Sequence, residues 1–316
     1  MTKARLAVRQ ALKSLNPGDH VLVAVSGGAD SLLLAHCLKL EGANNALHIS
    51  AVIIDHQLQE QSGDIAQKTK MKLLEMGIPE VHVIKVEIVK KDGLEADARA
   101  ARYQALTEFA AQEKATAIFL GHNQDDLAES VLLGLTQGAG TKSLAGMAKQ
   151  TNLYFRPFLS LSREEIVAAC AEAHIEYWSD PHNDDERFTR VKIRKQVLPL
   201  MESQLGPGIK EALARSARIF REDSDALDTL TEEIFATIAD PGSIDVELLE
   251  QLPVALRKRV IRRALARLGA TRISAEHLDW VEALIGQWHG QGAVALPAGV
   301  TARRESGRLA LSRELQ

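Results

Sequence analysis

The 316-residue chain is 46% apolar and 25% charged, which is typical of a globular protein large enough for two cores. No run approaches the roughly 18 uninterrupted apolar residues of a membrane helix, and the first residues lack the apolar core of a signal peptide, so we expect a cytoplasmic protein with no membrane partner. The net charge of −4 does not by itself indicate a nucleic-acid partner, but residues 187–316 hold 20 basic against 17 acidic side chains.

Short β-branched runs alternate with helical patterns through the first two hundred residues. The strand-like runs are VLVAVS, HISAVIID, VHVIKV and AIFLG, and a helical pattern follows each one. Parallel strands need such crossover connections, and nearly all-apolar strands are typical of a sheet covered on both faces. Residues 1–204 are therefore predicted to form an α/β domain with a parallel sheet. A later helix is expected after Ser162, where Glu165 completes a capping box.

The pattern changes at Gly206-Pro207-Gly208, which we take as a domain boundary. Residues 205–316 are predicted to form a small, mainly helical domain without buried strands. One long helix is expected over residues 209–238, a second over 245–269 and a third after the N-cap Ser274. Two extended runs in AVALPAGVTARRESGRLALS predict a terminal hairpin.

A glycine-rich turn follows the first strand, in the stretch VLVAVSGGADS (Val21–Ser31). A strand, a glycine turn and a helix start form an anion site, because the backbone amides and the positive end of the helix dipole face the bound group. The lysine of the common nucleotide-triphosphate loop is missing, since the next lysine is Lys39, well into the helix. Asp30 suits a magnesium ion that bridges phosphates. An ordinary Gly-Gly turn capped by Asp30 is the alternative.

Polar residues also follow other strands, and ligands bind at the carboxyl ends of parallel strands. Asp55 and His56 follow the second strand, and His122 follows the fourth. Asp126 and Glu129 come next, three residues apart and therefore on one helix face. We expect them to face the same crevice as the glycine turn, although acids in the first turn of a helix are also ordinary dipole partners.

Together these segments resemble the N-type ATP pyrophosphatases, whose phosphate loop carries the signature SGG-x-DS. The resemblance implies cleavage of ATP between the α and β phosphates, with the loop holding the departing pyrophosphate and Mg²⁺ bound with ATP at Asp30. A P-loop lysine serves attack at the γ-phosphate, so its absence fits chemistry at another phosphorus. On this basis ATP is expected to contact Ser26, Gly27, Gly28, Ala29, Asp30, Ser31, Asp55 and His122.

The segment Arg156–Met201 resembles the RP-L, W-x-D-x-x-N and TR-x-x-IR-x-x-x-LP pattern of the tRNA(Ile)-lysidine synthases. EADARAARY, GHNQDDLAES and GAGTKSLAGM extend the match. The helical remainder resembles that family's first C-terminal domain, so we expect a short form with one such domain. The chain departs from the family's usual residues at Gln57, Gln59, Asn123, Leu127 and Ser130.

This second resemblance implies that ATP activates the C2 oxygen of the wobble cytidine in the CAU anticodon of tRNA(Ile), and that free L-lysine then displaces AMP to give lysidine. The lysine ε-amine has an ordinary pKa of about 10.4 and must lose a proton before it attacks. Asp126 and Glu129 could supply both the charge and the base. Arg102, from the AR-x-x-RY segment, would meet the lysine carboxylate or a phosphate. Catalytic roles are thus expected for Asp30, Arg102, Asp126 and Glu129, and lysine binding for the last three.

Two basic clusters in the second half are candidate tRNA contacts. The first resembles the family's TR-x-x-IR segment and comprises Arg190, Lys192 and Arg194. The second recurs every four residues on a predicted amphipathic helix and comprises Arg259, Arg263 and Arg267. A solvated surface is the alternative for both clusters. The sequence leaves the oligomeric state open, a homodimer included.

Two other functions are open. A tRNA-thiolating enzyme of the same fold also adenylates a base, but it needs thiols or a cluster to deliver sulfur, and Cys37 and Cys170 form no clustered motif. The second alternative is a non-catalytic relative that binds a nucleotide or RNA. The pair Asp126 and Glu129 argues against this relative, because neither ATP nor RNA gains from added negative charge unless a metal or an amine is present.

Overall fold

The computed structural model describes residues 1–57, 62–88, 93–138, 140–178, 186 and 188–313. Of the residues in the motifs above, Gln59, Ala139, Asp180 and Asn183 lie outside this described part of the chain. The chain divides into two compact units. The first unit is Met1–Gln137 with Ala145–Ala217, and the second is Gly138–Leu144 with Arg218–Gln316. The division at residue 205 stays a prediction.

The elements begin, in chain order, with α1 (Thr2–Leu12), β1 (His20–Ala24), α2 (Ala29–Asn44), β2 (His48–Asp55), α3 (Ser62–Glu75), β3 (Glu80–Lys85), α4 (Leu94–Gln112), β4 (Ala117–Leu120) and α5 (Gln124–Thr136). They continue with α6 (Thr141–Leu144), β5 (Gln150–Thr151), β6 (Tyr154–Phe155), α7 (Arg163–Glu172), α8 (Thr189–Lys192), α9 (Leu198–Leu205) and α10 (Ile209–Ala236). The last are β7 (Ser243–Asp245), α11 (Val246–Glu250), α12 (Val254–Arg267), α13 (Ala275–Gly286), β8 (Val294–Leu296), β9 (Val300–Glu305) and β10 (Arg308–Arg313).

The first unit is built on a six-stranded sheet in the order β3-β2-β1-β4-β6-β5. Its strands are parallel except for β5, a two-residue edge strand antiparallel to β6. The predicted parallel α/β architecture is confirmed. β2 and β3 stand on one side of β1 and β4 on the other, so the strand order reverses between β1 and β4. This reversal is the topological switch point at which open α/β sheets bind their ligands.

Both faces of this sheet are covered, which explains why β1 is apolar from Val21 to Ala24. Val21 and Val23 belong to one core with Leu33 of α2. Leu22 belongs to a second core on the opposite face, with Leu106 of α4. Alternate residues of a strand point to opposite faces, so a strand covered by helices on both sides has no polar face.

The second unit contains a four-stranded antiparallel sheet in the order β7-β10-β9-β8. β9 and β10 form the predicted terminal hairpin. The expectation that this part has no buried strand is wrong, because Ile244 of β7 and Leu309 of β10 are both buried in the core of the unit. β7 and β8 have three residues each, which is too short for an alternating pattern to show in the sequence.

Two of the three helices predicted in the second half are observed, and one is divided. α10 covers most of the long helix expected over residues 209–238, and α13 begins after Ser274, whose hydroxyl accepts from the His277 amide. The helix expected over 245–269 is instead α11 and α12, with Pro253 as the N-cap of α12. Proline has no amide hydrogen and disfavours helical geometry in the residue before it, so the pattern cannot continue as one helix.

Candidate active site

The loop after β1 turns sharply at Gly27 and leads directly into α2. Gly27 has a φ of +87°, and a Cβ at this position would lie 2.7 Å from the Thr69 hydroxyl oxygen, so glycine is required here. The Ser31 hydroxyl accepts from the Ser26 amide and donates to the Gly28 carbonyl, each over 3.1 Å. Gly28 precedes α2 in extended conformation and offers no side-chain cap. The first amides of α2 are therefore suited to an anion.

Asp30 lies in the first turn of α2, and two side chains from other elements hold its carboxylate. Asn123 Nδ2 donates to Oδ1 and Arg163 Nη1 donates to Oδ2, each over 2.8 Å. The end of β4 lies against this turn, since a Cβ on Gly121 would lie 3.0 Å from the Asp30 carbonyl carbon. Arg163 is the first residue of α7. The predicted capping box between Ser162 and Glu165 at the start of this helix is confirmed. Asp30 is therefore a positioned, ion-paired carboxylate at the end of the phosphate loop.

Asn123, one of the departures from the family pattern, connects this turn to the start of α5. Its side-chain oxygen accepts from the Asp126 amide over 3.0 Å, and Asp126 Oδ2 accepts from the Asn123 amide over 2.9 Å. Asn123 is buried, and both ends of its side-chain amide are engaged. One asparagine thus caps α5 and fixes Asp30 of α2.

Asp126 and Glu129 lie on one face of α5, as their spacing predicted, and both contact Arg194. Arg194 Nε donates to Glu129 Oε1 over 2.6 Å, and its Nη2 lies 3.5 Å from Asp126 Oδ1. The Glu129 side chain is 0% exposed, and its Oε2 has no hydrogen-bond partner among the described residues. Arg194 belongs to a π-helical turn, Ile193–Val197, a feature that is frequent at functional sites.

The charge balance at this acidic pair favours a further cation. Burial raises the pKa of Asp126 to about 6, and the nearby Glu129 and Asp30 carboxylates act in the same direction. The hydrogen bond from the Asn123 amide and the Arg194 charge oppose this rise. A bound ammonium or divalent cation would relieve the repulsion among the carboxylates. A carboxyl group with a pKa near 6 is also suited to accept a proton at neutral pH.

Two histidines, His56 and His122, line the site together with Arg102. Burial lowers the pKa of His122 well below its ordinary value, and the Arg102 guanidinium acts in the same direction. The same two causes lower the pKa of His56. Burial also lowers the pKa of Arg102, which stays protonated at neutral pH. Nδ1 of each histidine is buried without a hydrogen-bond partner in the described part of the chain. Both imidazoles are therefore neutral at pH 7 and can hydrogen-bond to a ligand.

These groups line one cavity of about 380 Å³ at the carboxyl ends of β1 and β4. The acidic lining residues are Asp30, Asp126 and Glu129. The basic lining residues are Arg99, Arg102, Arg163, Arg190 and Arg194. A cavity with converging charged groups and shifted pKa values is the first candidate for an active site. Its arginine-rich wall suits phosphates and carboxylates.

Most of the predicted site residues meet in this cavity. Those that line it are Ser26, Gly28, Asp30, Arg102, His122, Asp126, Glu129, Arg190 and Arg194. Gly27, Ala29 and Ser31 belong to the same loop without lining the cavity. Asp55 does not line it either, and its buried carboxylate accepts from the Gln57 amide over 3.0 Å. The individual roles stay predictions.

Sequence reasoning missed Arg163 and gave Trp178 no role. Arg163 holds Asp30, although its sequence position shows only a residue in the first turn of a helix. Trp178 lines the cavity, and its amide donates to the Gly27 carbonyl over 3.0 Å. The tryptophan of the W-x-D-x-x-N motif was the available signal for this second contact.

The two basic clusters differ in their surroundings. In the first, Arg190 and Arg194 line the cavity, whereas Lys192 is exposed. In the second unit, Arg259 pairs with Asp228 of α10. The tRNA-binding role of both clusters stays a prediction.

The rest of the second cluster is partly neutralised. Arg263 Nε lies 2.9 Å from Glu232 Oε1 on α10, so this arginine is also ion-paired. Arg267 is exposed, and no ion pair engages it among the residues that the structure describes. The basic helix face formed by Arg259, Arg263 and Arg267 therefore has less net positive charge than the sequence alone suggests.

None of the helices within the described residues is long and apolar enough to cross a membrane.

A family profile described as "PP-loop domain" matches residues 2–201, and one described as "TilS substrate binding domain" matches residues 244–310. Among solved structures, the U34-tRNA thiolase NcsA from Methanococcus maripaludis with its [4Fe-4S] cluster shares the fold, with a TM-score of 0.57 and 19% identity over 70% of this chain and 78% of that one.

Curated relatives cover nearly the whole chain. The tRNA(Ile)-lysidine synthase of Thermobifida fusca (strain YX) is 42% identical over 98% of this chain and 96% of its own length. That of Streptomyces coelicolor (strain ATCC BAA-471 / A3(2) / M145) is 43% identical over 92% of this chain and 84% of its own length. With the phosphate loop, the acidic pair and both domain matches in place, the chain belongs to the tRNA(Ile)-lysidine synthase family.

Proposed function

We propose that this protein ligates free L-lysine to C2 of the wobble cytidine in the CAU anticodon of tRNA(Ile), with ATP converted to AMP and pyrophosphate. The observation that carries the proposal is the single cavity that joins a phosphate loop to a buried acidic pair. A phosphate site serves activation by ATP, and an acidic pair serves a cationic amine. Few substrates other than an amino acid with an ammonium side chain require both.

In the first step, the loop of Ser26 to Gly28 and the start of α2 hold the phosphates of ATP. The C2 oxygen of the cytidine attacks the α-phosphorus, the bond to the β-phosphate oxygen breaks, and pyrophosphate leaves. Preorganised amides and guanidinium groups stabilise the charge that develops on the phosphates. Arg102 and Arg190, which line the same cavity, are placed to contribute.

Magnesium is a fitting companion of ATP at this site. Mg²⁺ is usually held by one or two carboxylates together with substrate phosphates, so one positioned carboxylate suffices. Asp30 has that position. Burial raises the pKa of Asp126, and the nearby Glu129 and Asp30 carboxylates add to the rise, so the site favours an added cation. We assign Asp30 as the residue that would hold the ion, which would neutralise phosphate charge when bound.

In the second step, the ε-amine of lysine attacks C2 of the adenylated cytidine, the C2–O bond breaks and AMP leaves. The amine must first lose a proton, and Asp126, with its pKa raised to about 6, is the group suited to accept it. Glu129 offers the unpartnered Oε2 to the ammonium form of the substrate. Arg194 donates to the other oxygen over 2.6 Å and leaves Oε2 to the substrate.

Recognition of tRNA is assigned to the basic residues outside the cavity and to the second unit. Lys192 and Arg267 are exposed and can contact phosphates. Arg259 and Arg263 would exchange their ion pairs with α10 for phosphate contacts. We place the reaction in the cytoplasm. A homodimer stays open, and sedimentation of the full chain decides it.

A tRNA-thiolating activity is less well supported. The thiolase named above shares only the fold, at 19% identity. Cys37 and Cys170 are both buried and neither lines the cavity. Burial raises the pKa of the Cys37 thiol to about 12 and that of Cys170 to about 11, so neither provides a thiolate at neutral pH.

The proposal is tested by separating the two steps. Full-length protein is mixed with ATP and a tRNA(Ile) transcript with a CAU anticodon, first without lysine and then with it. We expect pyrophosphate release without lysine and AMP release only after lysine is added. Asp30→Ala should abolish both pyrophosphate release and AMP release. Asp126→Asn should leave pyrophosphate release unchanged and slow the lysine-dependent release of AMP. Asp64 also lies in the first turn of a helix, but it is exposed, so Asp64→Asn is the matched control. This variant should change neither pyrophosphate release nor AMP release. AMP release that does not depend on lysine would overturn the proposal.

A further inference from the structure

A cluster of two histidines and a glutamate lies at the amino ends of three adjacent strands, the opposite edge of the sheet from the cavity. His20 begins β1, His48 begins β2 and Glu80 begins β3. One ligand atom from each of the three lies within 4.8 Å of the others. The proposed reaction uses none of these residues, so this inference does not depend on it.

The sheet register brings the three side chains to one face. His20 pairs directly with His48, and Glu80 pairs with Ser50, two residues further along β2. Residues two apart in a strand point to the same face, so the register itself places all of these side chains together. The rings of His20 and His48 stack with centroids 4.4 Å apart, and His48 Nε2 lies 3.2 Å from Glu80 Oε2.

One histidine already has the tautomer that a metal ligand needs. His20 Nδ1 lies 3.1 Å from the carbonyl oxygen of Glu113. A carbonyl only accepts hydrogen bonds, so the ring proton lies on Nδ1 and Nε2 keeps its lone pair. Nε2 lies 2.7 Å from the Ser50 hydroxyl, so a metal bound at Nε2 replaces this hydrogen bond. A backbone carbonyl that orients the far nitrogen of a histidine is the usual outer-shell arrangement at metal centres.

We propose that His20, His48 and Glu80 form a binding site for a divalent transition metal of the zinc type, which ties three strands together at this edge of the sheet. Two imidazoles and one carboxylate are a donor set that suits zinc and cobalt, whereas magnesium prefers oxygen ligands. The three ligand atoms already lie within 4.8 Å of one another, and small side-chain rotations can bring each to about 2 Å from one ion. His48 and Glu80 are exposed and free to make them. A water molecule completes the coordination.

The test is titration of the metal-free, full-length protein with Zn²⁺ by calorimetry and with Co²⁺ by visible absorption. We expect one site per chain, the absorption of a tetrahedral Co²⁺ centre, and a higher melting temperature with Zn²⁺. His48→Ala and Glu80→Gln should each weaken Zn²⁺ binding at least roughly tenfold. Loss of an outer-shell partner alone weakens metal binding roughly tenfold to hundredfold, and these two residues are proposed as direct ligands. Both side chains are exposed, so both variants should fold.

Two controls separate this site from others. His289→Ala removes an exposed histidine of the second unit and should leave the titration unchanged. Asp126→Asn alters the cavity and should also leave it unchanged. Wild-type protein that binds no Zn²⁺ at stoichiometric concentration would overturn the proposal. Binding that survives in both His48→Ala and Glu80→Gln, or that is lost in Asp126→Asn, would overturn it as well.

Discussion

Arg194 donates from Nε to Oε1 of Glu129 over 2.6 Å, in a pair whose acid is fully buried. The sequence suggested separate roles for the two residues, tRNA binding for the arginine and lysine binding for the acid. The structure places them in direct contact. The lysine ammonium would therefore enter a site whose charge is already half balanced, which favours exchange of the substrate over tight retention.

Removing Arg194 should destabilise the fold. Arg194→Ala leaves the Glu129 carboxylate buried without its cation, and breaking a buried pair costs about 3–5 kcal/mol. Arg194 is 33% exposed, so we expect a loss nearer about 2 kcal/mol, measured by urea unfolding. Arg267→Ala removes an exposed arginine and should change the free energy of unfolding by less than about 0.5 kcal/mol. Equal effects of the two variants would show that the pair contributes nothing.

The raised pKa of Asp126 predicts a pH-dependent stability. The folded pKa of about 6 lies above the unfolded value of about 3.9, so the contribution of Asp126 is fully present below pH 4 and is lost as the pH rises through 6. Asp126→Asn does not titrate. Its free energy of unfolding should therefore increase relative to wild type between pH 4 and pH 6, by up to about 3 kcal/mol. Asp64→Asn is the control and should show no such trend. A difference that stays constant over this range would contradict the assignment.

The phosphate loop should fail when Gly27 gains a side chain. Gly18 and Gly27 share a φ of +87°, but a Cβ on Gly18 meets nothing within 4 Å, whereas one on Gly27 meets Thr69. Gly18→Ala should cost about 1 kcal/mol of stability from backbone strain alone. Gly27→Ala should cost more and weaken ATP binding by about tenfold or more, equivalent to about 1.4 kcal/mol. Titration calorimetry with ATP measures the ATP affinity of the two variants, and urea unfolding measures their stability. Identical ATP affinities in the two variants would separate Gly27 from the phosphate site.

The arginines of α12 should differ in their effect on tRNA binding. Arg267→Glu removes an exposed positive charge and should lower tRNA affinity and reduce the salt slope by about one contact. Glu232→Gln frees Arg263 from its ion pair and should raise the affinity. ATP affinity should not change in either variant. If neither variant alters tRNA binding, the stripe is a solvated surface.

The sequence predicted the elements better than the contacts between them. The order of strands and helices follows from local periodicity, and the positions of Ser26, Asp30, Asp126 and Glu129 at strand ends place them at one edge of a parallel sheet. The partners of these residues are separated by long stretches of chain. Arg163 holds Asp30 from 133 residues away, and no local pattern encodes that contact.

Charged clusters were the weakest part of the sequence interpretation. A stripe of arginines shows that a helix face is basic, but it does not show whether acids on a neighbouring helix neutralise it. Asp228 and Glu232 of α10 do so for Arg259 and Arg263. The same limit applied to His20, His48 and Glu80, which are distant in the sequence and meet only through the register of three strands.

The transfer of labelled lysine to tRNA tests the central claim most directly. Protein, ATP, Mg²⁺ and labelled lysine are incubated with a tRNA(Ile) transcript that carries a CAU anticodon, and with a matched transcript in which the wobble cytidine is replaced by uridine. The account predicts label on the nucleoside at the wobble position of the first transcript and none on the second. Label on both transcripts, or ATP turnover with no label on either, would contradict it.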